Sequence, residues 1–238
     1  MQKINPNLSI NSFFCDFSLQ DSIRECADKI KNDLKAIDLL INNAGVVNTE
    51  YSETIDGIEN TFAVNHLGYF LFTNLLLDLV KKESESRIIN VSSAAHHFVK
   101  GMQWDDINYK DDFKMGLKAY GQSKLGNILF TKQLAKKLQK DGVTVNAIHP
   151  GGVNTSLGNQ NNSLLGRVLK IILKPFFRSP LKGANTIIYL AEIDGLSITG
   201  AYWVDGRVAK TSHYSKNEAE AEKLWRLSEK LVNQEFDI

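Results

Sequence analysis

Ile37-Asp38-Leu39-Leu40-Ile41-Asn42-Asn43-Ala44-Gly45 sets the reading of the chain. It is a short apolar run, Ile37–Ile41, closed by four small or turn-forming residues, and it reads as a buried strand. Outward from it the same pattern recurs. Arg87–Ser92 is the next strand, ending at Ser92-Ser93. Val143–Ile148 is another, closed by His149-Pro150-Gly151-Gly152, and Leu8–Phe14 is an earlier one, followed by Cys15-Asp16. Helical periods fill the intervals. Ser18-x-x-Asp21 gives a capping-box-like start to a helix reaching about Leu34. Asp56 to about Lys82 carries Phe62, Leu67, Phe70, Leu71, Leu75 and Leu79 at three- and four-residue steps. Further helices are expected at Met115–Lys140, Leu164–Leu173, Leu181–Glu192 and Lys216–Val232, with a strand at Ala201–Val204. Continuous apolar strands alternating with helices predict an α/β fold with a doubly wound, Rossmann-like parallel sheet, as a single domain over residues 1–238.

Composition narrows the function. The 238 residues carry 28 basic and 27 acidic side chains, a formal charge of +1, which argues against a nucleic-acid partner. Cys15 and Cys26 are too few for a disulfide scaffold. The five histidines make no metal spacing, so no metal is expected. Met1–Phe17 has no basic-then-apolar signal pattern, and Thr73, Asn74 and Asp78 interrupt the longest apolar stretch, Tyr69–Val80. A cytoplasmic location is therefore expected.

Ligands of such sheets lie beyond the carboxyl ends of the strands, where Asp16, Asn42–Gly45, Ser92-Ser93 and His149–Thr155 gather. Tyr120 and Lys124 are four residues apart, which puts them on one face of a helix. An ammonium beside a phenol lowers its pKa and makes it a usable proton donor to a carbonyl. By chance alone the pair is nearly an even bet. With Asn42-Asn43-Ala44-Gly45, Asn65, Ser93 and Pro150-Gly151 in this order, the chain resembles the short-chain dehydrogenase/reductase family over essentially its whole length. Val64–Phe70, Asn90–His96, Ala119–Leu125 and Ile148–Gly151 look most like the retinol dehydrogenase branch.

The resemblance implies hydride transfer between a nicotinamide cofactor and a hydrophobic aldehyde or ketone and its alcohol. Tyr120 would be the general acid/base, and Lys124 would lower its pKa and hold the nicotinamide ribose. Ser93, with Ser92 as the alternative, would orient the carbonyl. Asn65 would break its helix and hold a water leading from Lys124 to solvent. Asp16 would lie near the adenine, and Asn42, Ala44 and Gly45 would wall the adenosine side. Pro150, Gly151, Val153 and Thr155 would pass under the nicotinamide. The cofactor would be NADP or NAD, with NADP favoured by the resemblance alone. A homo-oligomer is the family expectation.

Several features stand beside this reading. Gly116-x-x-x-x-Gly121-Gln122-Ser123 mimics a phosphate loop but has Gln122 where lysine is needed. His96-His97 reads as a polar loop rim. Arg167, Lys170, Lys174 and Arg178 make a basic stripe in Leu164–Arg178. That segment reads as an ordinary amphipathic helix, as a lid over a greasy substrate, or as a peripheral membrane contact. The family's Gly-rich cofactor fingerprint is not in the sequence, and Leu8–Phe14 matches the family's third strand. The first two strands would then be missing, and the sheet would either hold a gap beside its centre or re-pair Leu8–Phe14. A non-catalytic relative that binds a partner or a lipid-like molecule is the alternative function.

Overall fold

Residues 8–151 and 179–238 are described by the computed structural model. The apolar runs become strands where another run lies within hydrogen-bonding reach. β1 (Leu39–Asn42), β2 (Arg87–Val91), β3 (Thr144–His149) and β4 (Tyr202–Val204) form a parallel sheet in that order. The register sets Asn42 beside Asn90 and Asn90 beside Ala147, so the carboxyl ends of the strands finish together. β5 (Arg207–Val208) returns antiparallel to β4 through Asp205-Gly206. Both turn residues have positive φ, 51° and 71°, as a two-residue hairpin of this hand requires.

The helices are α1 (Gln20–Asp33), α2 (Asn60–Val80), α3 (Leu117–Lys137), α4 (Pro180–Glu192) and α5 (Glu218–Leu231). Because side chains alternate along a strand, Leu40, Ile88 and Val145 meet the helices on one face. Ile89, Val91, Ile148 and Trp203 meet Leu190 of α4 on the other. The doubly wound arrangement predicted from the alternation is present. Inside the first layer, Asn42 Nδ2 donates to Thr73 Oγ1 (2.8 Å) and Asn90 Oδ1 (2.7 Å), and Asn90 Nδ2 donates to Thr131 Oγ1 (3.0 Å). This buried relay fixes two strands against two helices. α5 closes the layer, with its Trp225 ring 4.9 Å from Phe70 and 6.0 Å from Phe130.

Two expectations change. Leu8–Phe14 forms no strand; Leu8 and Ile10 are exposed and Phe14 is 83% exposed. Its backbone joins no ladder, and the chain that follows, Phe14–Ser18, lines a cleft of about 710 Å³ together with Ala44–Val46, Asn60 and Val64. Neither a gapped sheet nor a re-paired one results, and β1 is the sheet's edge among the described residues. Ser18 does not cap α1: its N–H (2.9 Å) and hydroxyl (2.7 Å) both donate to Asp16 Oδ1, and the helix begins at Gln20 after an uncapped Leu19. α2 proves long and apolar enough to cross a membrane, but 83% of its apolar window is buried in the protein core. The predicted helix Leu164–Leu173 and the stripe over Leu164–Arg178 lie outside the described residues.

Candidate active site

The site is assembled where the turn after β1, the start of α2, the turn after β2 and the start of α3 converge. α2 begins at Asn60 because the Glu59 carboxylate accepts from the N–H groups of Thr61 and Phe62, at 2.8 and 2.7 Å. Its next turn, Ala63–Leu67, widens to a π-helix with Asn65 at the centre. Asn65 is fully buried, and its amide grips the turn after β1: Oδ1 accepts from Val46 N–H (2.8 Å) and Nδ2 donates to Val46 O (2.9 Å). Nδ2 also donates to Ser123 Oγ on α3 (3.1 Å).

Ser92 and Ser93 are separated by their partners. The Ser92 hydroxyl is buried and donates to Lys124 O at 2.8 Å, which ties β2 to α3. Ser93 caps the short 3₁₀ turn Ala94–Phe98, its Oγ accepting from Ala95 N–H (3.1 Å), and the same hydroxyl is near enough to Tyr120 to pull its pKa down. α3 comes this close because Gly121 has no Cβ, which would stand 2.8 Å from Ala95 O. Its place inside α3 also disposes of the phosphate-loop resemblance at Gly116–Ser123.

Lys124 is 3% exposed; its Nζ donates to Val91 O (3.1 Å) and lies 5.6 Å from the Tyr120 ring centre. Burial drives its pKa from 10.5 down to about 7. Tyr120 departs from the expected depressed phenol. Burial raises its pKa, and the opposing pull comes from the neighbouring Ser93 hydroxyl rather than from Lys124. The lysine is itself desolvated and turned to a β2 carbonyl, so it is a weak source of positive potential at the phenol.

The remaining predicted residues divide. Asp16, Ala44 and Gly45 line the 710 Å³ cleft. The Asn42 side chain does not reach into it; its amide is held by Thr73 and Asn90. Pro150 and Gly151 follow β3, with Gly151 at φ 82°, and Val153 and Thr155 lie outside the described residues.

The family model described as enoyl-(acyl carrier protein) reductase matches residues 1–206. Retinol dehydrogenase 13 of Homo sapiens is 41% identical over 235 residues, covering 96% of this chain and 70% of that protein. The chain belongs to the short-chain dehydrogenase/reductase family. Within it the chain is retinol dehydrogenase-like: retinol dehydrogenase 14 of Mus musculus is 40% identical over 222 residues, 91% of this chain. The match spans 65% of the length of that relative. A crystal structure of an uncharacterized protein from Mycobacterium Paratuberculosis shares the fold, with a TM-score of 0.72 and 30% identity over 94% of this chain and 76% of that one.

Short-chain dehydrogenase/reductase membership implies a nicotinamide dinucleotide, and the described residues fit one. A Cβ on Gly45 would stand 3.2 Å from Asn65 Oδ1 and 3.6 Å from Lys124 Nζ, so the bare glycine that lines the cleft packs its backbone directly against these two buried side chains. Sequence reasoning missed three members of this site. Tyr69 donates from its hydroxyl to Ala44 O (2.7 Å) and fixes the turn after β1. Asn127 donates to Val91 O at 3.1 Å, beside Lys124 Nζ. His96, read as a loop rim, is fully buried, while His97 is exposed. Asn127 lies seven residues after Tyr120, two helical turns along the same face, a signal that was available.

Proposed function

We propose that the chain is an NAD(P)-dependent oxidoreductase that interconverts a hydrophobic aldehyde or ketone and its alcohol. The observation that carries this is the meeting of Ser93, Tyr120, Lys124 and Asn65 beside the cleft that Asp16, Ala44 and Gly45 line. When bound, the nicotinamide supplies or accepts the hydride.

The residues of the chain do the rest. Tyr120 gives its phenolic proton to the carbonyl oxygen in the reducing direction and takes it back from the alcohol in the other. The Ser93 hydroxyl, which lies beside Tyr120, holds that oxygen and shares its developing negative charge. Lys124 steadies the phenolate formed when the proton leaves. A buried group near pH 7 can gain that charge at little cost once an anion appears beside it. Asn65 keeps the turn after β1 and the Ser123 turn of α3 at fixed distance from the reacting groups, and a water leading from Lys124 to solvent is part of the proposal.

NADP rather than NAD, a substrate of the apolar class named in the relatives, and a homo-oligomer belong to the same proposal. Tyr120→Phe tests its core. Reduction of a long-chain aldehyde with NADPH should fall by at least about 100-fold, the scale of losing a positioned acid. Full turnover by the variant would sink the assigned mechanism.

A further inference from the structure

His96 stands three residues after Ser93 in the turn Ala94–Phe98, with its ring wholly buried. Its Nδ1 is 2.6 Å from Ser93 O, a contact that only an N–H can make with a carbonyl. Its Nε2 accepts from the Ser212 N–H at 3.1 Å, which requires a bare nitrogen. The two partners together fix the neutral Nδ1–H tautomer. The surroundings agree. Burial first, then His97 (ring 4.0 Å away) and His149, push the pKa down to about 4, and the Tyr202 ring stands edge-on at 5.1 Å. With both nitrogens engaged and no exposure, this ring handles no proton in turnover. It joins the Ser93 turn to a segment 116 residues further along the chain.

Ser93 needs such a hold. Its hydroxyl must face Tyr120 while accepting from Ala95 N–H, and its carbonyl accepts from both the backbone N–H (3.2 Å) and the ring of His96. We propose that His96 is a positioning residue, which clamps the Ser93 carbonyl against Ser212 and thereby keeps the Ser93 hydroxyl on the Tyr120 phenol. This rests on reading Ser93 and Tyr120 as the reacting pair.

Two readouts test it, on the full chain. The first needs no turnover: the ionisation of Tyr120, followed by the shift of its ¹³C-labelled phenolic carbon. His96→Phe should move that titration upward, as Ser93→Ala should, and the double variant should move it no further. His96→Asn, whose amide nitrogen takes the place of Nδ1 while the Ser212 N–H loses its acceptor, should move the titration less than His96→Phe. His96→Gln, which mimics Nε2 instead, should behave like His96→Phe. The second readout is kcat with NADPH and a long-chain aldehyde. His96→Phe should lose on the order of 100-fold, the scale of an ångström of misplacement. KM for NADPH should hold, Asn should restore part of the loss, and adding Ser93→Ala should cost nothing more. An unmoved Tyr120 titration in a folded His96→Phe overturns the clamp, and so do losses that multiply with Ser93→Ala or an Asn variant as poor as Phe. A wild type without turnover would instead sink the proposed activity, and the Tyr120 titration would still decide on His96.

Discussion

At the scale of single residues, the decisive group is Lys124. In the fold its pKa is about 7, against an ordinary value of 10.5 in the unfolded chain. Between those values the unfolded chain binds the extra proton, so folding stability should rise with pH across the window from about 7 to 10.5 and be lowest at and below 7. Lys124→Met should therefore be more stable than the wild type at pH 6, and its advantage should shrink toward pH 10. Urea midpoints over that range check it, and a constant difference contradicts it. Ser93, Tyr120, Lys124 and Asn65 were legible because their order and spacing carry the family pattern. Asn42 shows the limit: its place after a strand was readable, but not that its amide would join the relay to Thr73 and Asn90. The buried His96 was illegible for a related reason, since its partner Ser212 is remote in sequence and contributes only a backbone N–H.

At the scale of elements, periodicity carried most of the reading. α1, α2, α3, α4 and α5 lie within a few residues of the predicted spans, and so do β1 to β4. The differences sit where a local partner decides. α2 starts later than Asp56 because Glu59 supplies the cap, and β5 is two residues long and rests on the Asp205-Gly206 turn. Leu8–Phe14 has a strand's composition, but a strand also needs a neighbour, which composition does not report. The docking of α5 can be tested at Trp225, which is 2% exposed between Phe70 and Phe130. Trp225→Ala should cost about 3–5 kcal/mol in urea unfolding, the usual range for emptying such a site. A loss under about 1 kcal/mol would mean that α5 is not part of the cooperative core.

At the scale of the whole molecule, the sheet has, among the described residues, a well-covered centre and a more exposed edge at β1. Ile89 is 2% exposed between α4 and the sheet, whereas Ile41 on the edge strand is 39% exposed. Ile89→Ala should cost about 2–5 kcal/mol and Ile41→Ala much less; equal losses would mean that β1 is covered in solution. This edge is also where the cleft lined by Phe14–Ser18 and Ala44–Val46 lies. Sequence order located this crevice, since strand ends gather in any doubly wound sheet. Its shape depends on where the segment before α1 lies relative to the turn after β1, which no local pattern encodes. Under the proposed function, this cleft and Lys124 together form a dinucleotide site. Titrating the chain with NADPH, read by energy transfer from its tryptophans, tests that most directly. Saturable binding at one site per chain, abolished by Lys124→Ala in a folded variant, is the predicted result; a wild-type chain that shows no saturable binding would contradict it.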